Sequence, residues 1–150
     1  MTPAQLLAKA IEYTNTLKGV RYKMGTENWA PDGSGDCSAF LWLCVGEKKR
    51  DRNTDWIRAD ALGAQTKFRA VSQPEPGVIA VYGTRWEKTP SGVTKRHAGH
   101  VGVVADVAKK LVVDLSSGQN GIRLHRQPVL LDGPSDRRSA GLIFCVPVVS

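Results

Sequence analysis

The apolar positions of this chain change period about halfway along, from a helical spacing to a strand-like one. Near the start, Leu6, Leu7, Ala10, Ile11, Thr14 and Leu17 recur at intervals that place them on one face of a helix. Thr2 supplies an N-cap, Pro3 suits the first helical position and Gln5 completes a capping box, with Gly19 placed to close the helix. Gly25 and the run Pro31-Asp32-Gly33-Ser34-Gly35 then read as a loop. At Asp36 the character changes abruptly. Cys37 to Val45 is strongly apolar, and Gly46 is a natural stop. A helix is favoured over a buried strand there. Asp36 or Ser34 can cap it, and Ala39, Leu41 and Leu43 are good helix formers. A polar connector leads to a third helix expected from Thr54 to about Phe68.

After Pro74 and Pro76 the pattern becomes that of strands. Val78 to Tyr82, His100 to Ala105, Leu111 to Leu115, Gly121 to His125 and Leu142 to Val149 are short apolar or alternating runs. Asp106 to Lys110 fits a turn, and Arg85 to His97 reads as a polar loop. Helices first and strands afterwards predict an α+β fold, an antiparallel sheet covered by helices. The length of 150 residues suits one domain spanning 1–150, and no repeat or linker divides it.

Composition narrows the function classes. Hydrophobic residues at 41% and charged residues at 23% are ordinary globular values, which excludes a disordered chain. No apolar run is long enough for a membrane span. Met1 to Gly19 lacks a basic segment followed by an apolar block, so the expectation is synthesis in the cytoplasm without a secretory signal. The net charge of +7 favours anionic partners, whether nucleic acid, cell envelope or acidic lipid, and does not choose among them. The three cysteines are an odd number, and Cys37 and Cys44 on one helix would lie about 10 Å apart, too far for a disulfide. Three free thiols are expected.

Of these, Cys37 stands where a nucleophile is expected. It follows a glycine-rich loop and starts a helix, where unpaired N–H groups and the helix dipole stabilise a thiolate. Cys44 and Cys145 sit inside apolar runs and read as small core residues. A thiol nucleophile needs a base, and the base needs an orienting partner. His100, which opens the strand His100-Val101-Gly102-Val103-Val104, is the candidate base, with space beside it at Gly102. His97 falls in the polar loop, and His125, between Arg123 and Arg126, reads as solvent-exposed. Asp114 lies inside the apolar run Val112-Val113-Asp114-Leu115, where an acid without a partner is costly, and so is the candidate orienter. Ser116, Gln119 and Asn120 are alternatives for that role. No metal site is expected, because His97 and His100 would not converge on one ion from a strand and no pair of cysteines has zinc spacing. Gly33-Ser34-Gly35 lacks the ending of a phosphate loop. Trp29, Trp42 and Trp56 neighbour helix or loop rather than an exposed sheet face, which disfavours base stacking.

Four blocks in order resemble the NlpC/P60 superfamily: Tyr22-Lys23-Met24-Gly25, Gly35-Asp36-Cys37-Ser38-Ala39-Phe40, Pro76-Gly77-Val78-Ile79-Ala80-Val81-Tyr82 and Gly99-His100-Val101-Gly102-Val103-Val104. The resemblance implies a papain-like α+β fold in which Cys37 is nucleophile, His100 base and Asp114 the third polar residue, with Tyr22, Asp36 and Ser38 bordering the substrate. It implies a peptidoglycan hydrolase that needs no cofactor and cuts an amide of the peptide stem, commonly between D-glutamate and diaminopimelate. Ala39 and Val78 depart from the usual glycine and aspartate of that pattern. Asp114, where many members carry histidine, moves the chain toward the related CHAP amidases. A phage lysis enzyme or an injected antibacterial effector fits these traits, acting in the periplasm or cell wall after release or injection, with a holin or an immunity protein in its system. An N-acetylmuramoyl-L-alanine amidase or a transacylase would use the same pair. A non-catalytic basic module binding wall or nucleic acid is the alternative of another class. Nucleic acid is not the expected partner, since that reading leaves the ordered cysteine and histidine blocks unexplained.

Overall fold

The computed structural model describes residues 1–117, 121–133 and 141–148. Helix α1 spans Pro3–Thr16. The capping box forms: the Thr2 hydroxyl accepts from Gln5 N–H, and the Gln5 side chain accepts from Thr2 N–H. Leu6 and Ala10 are its buried positions, while Ile11 lies at the exposed flank. The helix ends at Leu17 rather than on a left-handed Gly19. A Cβ at Gly19 would stand 2.6 Å from the Pro31 carbonyl, so this glycine serves a close approach of chains instead.

Three two-residue strands, β1 (Arg21–Tyr22), β2 (Glu27–Asn28) and β3 (Ser34–Gly35), pair in the order β1-β3-β2, the last two within or beside the stretch read as a loop. Strands this short leave no periodic trace in a sequence. Helix α2 spans Cys37–Cys44 and α3 spans Thr54–Leu62. The third helix is shorter than its pattern predicts because Asp60 catches the returning chain. Its carboxylate accepts from the N–H groups of Thr66, Lys67 and Phe68 and from the Thr66 hydroxyl, at 2.7–2.9 Å. Phe68 therefore opens β4 (Phe68–Val71) instead of ending a helix.

The main sheet adds β5 (Ile79–Tyr82), then β8 (His100–Asp106), β9 (Leu111–Asp114), β10 (Arg123–Arg126) and β11 (Ile143–Pro147). Its order is β10-β9-β8-β5-β11-β4, antiparallel at every pairing. The polar segment expected as a loop is a hairpin apart from this sheet, β6 (Arg85–Lys88) paired with β7 (Thr94–His97). No apolar alternation marks it, because neither face is buried in the core. One sheet face meets the helices through Val101, Val103, Val113 and Leu115, against Leu6, Phe40, Leu41 and Ile57. Ala80, Tyr82, Val104 and Val112 on the other face pack with Leu130 of a short 3-10 turn, Pro128–Leu130. Trp42 anchors the helical side, its ring N–H donating to the Arg52 carbonyl at 2.7 Å beneath the Arg52 guanidinium. Among the described residues no helix is long and apolar enough to cross a membrane. The architecture is the expected α+β arrangement.

Candidate active site

Helix α2 is almost wholly buried, which fixes its first residue against the sheet. Its N-cap is Asp36, whose carboxylate accepts from Ala39 N–H at 2.8 Å and from the Ser38 hydroxyl at 3.0 Å. The second oxygen accepts from Gly25 N–H at 3.0 Å and from Lys49 Nζ at 2.6 Å. Burial opposes the charge on Asp36, but Lys49 and the two backbone donors prevail and hold its carboxyl below the usual range. Asp36 and Ser38 thus lie beside the cleft at Cys37, with their polar atoms bonded to each other and to the loop. These bonds also seat the helix whose first residue is Cys37.

Cys37 is 6% exposed at the floor of a cleft of about 180 Å³ that Tyr22, Lys49, Thr54, Arg96 and Gly99 also line. Its backbone N–H is the first of the helix and has no carbonyl one turn back to bond. A second depression, about 270 Å³, is lined by Tyr82, His100, Ser116 and Gln127. Tyr22, Ala98 and Gly99 border both, so the two adjoin as one groove, Cys37 lining the first part and His100 the second. A Cβ at Gly99 would come within 2.5 Å of the Thr54 hydroxyl and the Tyr82 carbonyl, so only glycine lets the chain enter β8 here.

His100 Nε2 lies 2.6 Å from Asp114 Oδ2. The Cys37 thiol stands close enough to the imidazole to act on its charge. Burial disfavours the imidazolium, but the Cys37 and Asp114 charges and bonds outweigh it and raise His100 to about 10. Asp114 is 1% exposed, and its carboxyl is held well below the ordinary range. Burial works against that ionisation, and the bonds from His100 and His125 overcome it. The structure thus brings together Cys37, His100 and Asp114 from α2, β8 and β9. Tyr22 borders them. Burial, with the negative charges of Cys37 and Asp36, pushes the Tyr22 hydroxyl up to about 12, so it stays a donor.

Two features escaped the sequence. His125, read as exposed, is only partly so and bonds through Nε2 to Asp114 Oδ1. It stands across from Val112 in the β9–β10 pairing, a registration that local pattern does not carry. Ser116 also reaches Asp114, donating to Oδ2 at 2.8 Å, and Gln127 Nε2 does so at 3.3 Å. Gln119 and Asn120 lie outside the described residues. The second concerns Gly102. The space it leaves is filled by Leu130 Cδ1, 2.9 Å from where a Cβ would be, and the Asp114 Cβ would lie at 3.3 Å. Gly102 makes room for Leu130 and for the backbone-proximal part of Asp114. Among the described residues no group of His, Cys, Asp and Glu could hold a metal ion.

All three thiols are free. Cys44 and Cys145 are buried in the core, and desolvation pushes both thiols up, Cys145 to about 12. Native protein treated with iodoacetamide near neutral pH is expected to gain a single adduct, at Cys37. Peptide mass mapping checks this, and modification of Cys44 or Cys145 before unfolding would contradict it.

A helix-borne cysteine packed against an antiparallel sheet that carries the histidine and the acid defines a papain-like α+β protein. Residues 26–119 match the family model described as the CHAP domain, more than half of the 150 residues, and the chain belongs to that family. Its members are papain-like peptidoglycan amidases and peptidases related to NlpC/P60, so membership indicates a peptidoglycan hydrolase or amidase. A search of the curated proteins finds no match.

Proposed function

We propose that this protein is a cysteine hydrolase that cuts an amide bond in the peptide stem of peptidoglycan, with Cys37 as nucleophile, His100 as acid and base, and Asp114 as orienter. The observation that carries the reading is His100 itself, 2.6 Å from the buried Asp114 carboxylate and near enough to Cys37 for that thiol to act on its charge. In the proposed path His100 carries the proton given up by Cys37, and the thiolate attacks the amide carbonyl. The Cys37 N–H and the Tyr22 hydroxyl face the developing oxyanion. His100 then gives its proton to the leaving amine as the C–N bond breaks. A water, deprotonated by His100, attacks the thioester, and the acid and free thiol are released. Asp114 holds the imidazole through Nε2 throughout, and His125, Ser116 and Gln127 hold Asp114.

The bond between D-glutamate and diaminopimelate is the first reading, from the sequence blocks around Tyr22, Cys37 and His100. The second is the bond between the muramoyl group and L-alanine, which the CHAP match and a carboxylate at position 114 favour. Digestion of purified peptidoglycan with mass analysis of the soluble fragments separates them. Fragments with a new diaminopimelate N-terminus support the first, and intact stems released from the glycan support the second. Absence of any new amine from peptidoglycan treated with folded protein would sink both.

A further inference from the structure

The β6–β7 hairpin has no part in the core, yet one of its residues lines the groove at Cys37. Cross-strand pairs of an antiparallel hairpin share a face. Arg85 faces His97 and Glu87 faces Lys95, so these four form one side. There Glu87 pairs with Arg85 at 2.9 Å and approaches His97 at 3.8 Å, and Arg85, Glu87 and His97 are half-buried. Trp86 faces Arg96 and Lys88 faces Thr94 on the other side. That side is open: Trp86 is 62% exposed, the most exposed of the aromatic side chains, and Arg96 and Lys88 are exposed beside it.

The charges are uneven. Arg85 to His97 holds four Lys and Arg against a single Glu, and that Glu is turned to the half-buried side. Among the described residues Arg96 has no carboxylate within ion-pair distance. In the groove Lys49 is neutralised by Asp36 at 2.6 Å. Arg96 is therefore the uncompensated cation beside Cys37. It stands close enough for its charge to draw the Tyr22 hydroxyl downward, against the burial and the negative charges that raise it.

We infer that the Trp86–Arg96 face of the hairpin is a substrate-binding subsite for a carboxylate-bearing peptide. Arg96 receives a free carboxylate of the stem next to the scissile amide. Trp86, its cross-strand neighbour, covers the adjoining stretch of stem. This rests on the stem-hydrolase reading and deepens it, because peptide stems present free carboxylates close to their amide bonds. A planar guanidinium engages a carboxylate through two parallel hydrogen bonds, which an ammonium does not reproduce. An exposed tryptophan beside it gives apolar area at little cost in side-chain entropy.

The test is steady-state hydrolysis of a soluble muropeptide, with binding of the same muropeptide to Cys37→Ala protein followed by tryptophan fluorescence. Arg96→Ala is expected to raise KM about tenfold or more with kcat changed far less, from the loss of a charge-assisted pair. Arg96→Lys should recover only part of that loss. Trp86→Ala is expected to raise KM about threefold to tenfold, and in a Cys37→Ala background Trp86→Phe should remove the fluorescence change on binding. Lys109→Ala, which removes the same charge in the turn beyond the far end of β8, should leave KM unchanged. Wild-type turnover with unchanged KM in both hairpin variants would overturn the subsite while leaving the hydrolase reading intact. Absence of both turnover and muropeptide binding in folded wild type would overturn the hydrolase reading and the subsite with it.

Discussion

Cys37→Ala is expected to lower turnover of peptidoglycan on the order of 10⁶-fold while the protein stays folded. The size of the loss follows from the chemistry. When nucleophile and base act as one unit, removing the nucleophile leaves only what binding and the oxyanion donors contribute. The fold should tolerate the change because Asp36, not Cys37, caps α2, and because the helix is anchored by Phe40, Leu41 and Trp42 in the core. Loss of a small buried side chain costs about 1 kcal/mol here. A second readout comes from His100. Burial pulls its pKa down, and Cys37 is foremost among the groups that hold it up at about 10. Without the Cys37 side chain the His100 titration should move toward the ordinary histidine range, which NMR of the ring protons reads. Turnover within tenfold of wild type in purified, folded Cys37→Ala protein would remove Cys37 from the mechanism.

Asp114→Asn is expected to lower kcat on the order of 10³- to 10⁴-fold, because the amide can present its N–H to an imidazole nitrogen and stabilise the wrong tautomer. It also leaves His100 and His125 without the carboxylate that both engage. Loss of one partner from a buried charged network destabilises by about 3–5 kcal/mol, so activity should be compared at a temperature where the variant is folded. The pH dependence has a definite sign. Asp114 is depressed in the fold, so its contribution to stability is present above the ordinary carboxylate range and is lost as pH falls through its lowered value. His100 is raised, so its contribution is present below the ordinary histidine value and is lost as pH rises through about 10. In wild type the alkaline limb of kcat/KM should therefore lie well above the usual histidine range. In Asp114→Asn it should move to lower pH, since one of the two groups raising His100 has lost its charge. Urea melts across pH and a kcat/KM profile check the two halves separately. An alkaline limb that stays in place in the variant would show that Asp114 does not act on His100.

Much of this arrangement is legible from local chemistry. Thr2, Pro3 and Gln5 announce α1 because a capping box is satisfied within four residues. Asp36 before an apolar octet announces α2 for the same reason. Asp114 stands out because an acid among Val112, Val113 and Leu115 requires a partner, and the buried carboxylate has several. The α+β class follows from the switch in period between α3 and β5, since each period reports which face of an element is buried.

Other features depend on contacts between distant residues. Phe68 fits a helical face in the sequence, but four bonds to Asp60 turn the chain into β4. The hairpin of β6 and β7 carries no apolar alternation because its surroundings are polar or open, so its pairing, and with it the side-by-side placement of Trp86 and Arg96, could not be read from a window of sequence. His125 looks like a solvated residue between two arginines until the β9–β10 registration brings its ring to Asp114. The sequence by itself thus determined the elements whose caps and buried faces are local, and the residue types able to do the chemistry. The tertiary structure alone decided which of them meet, because sheet order and registration set distances between residues that the chain keeps far apart.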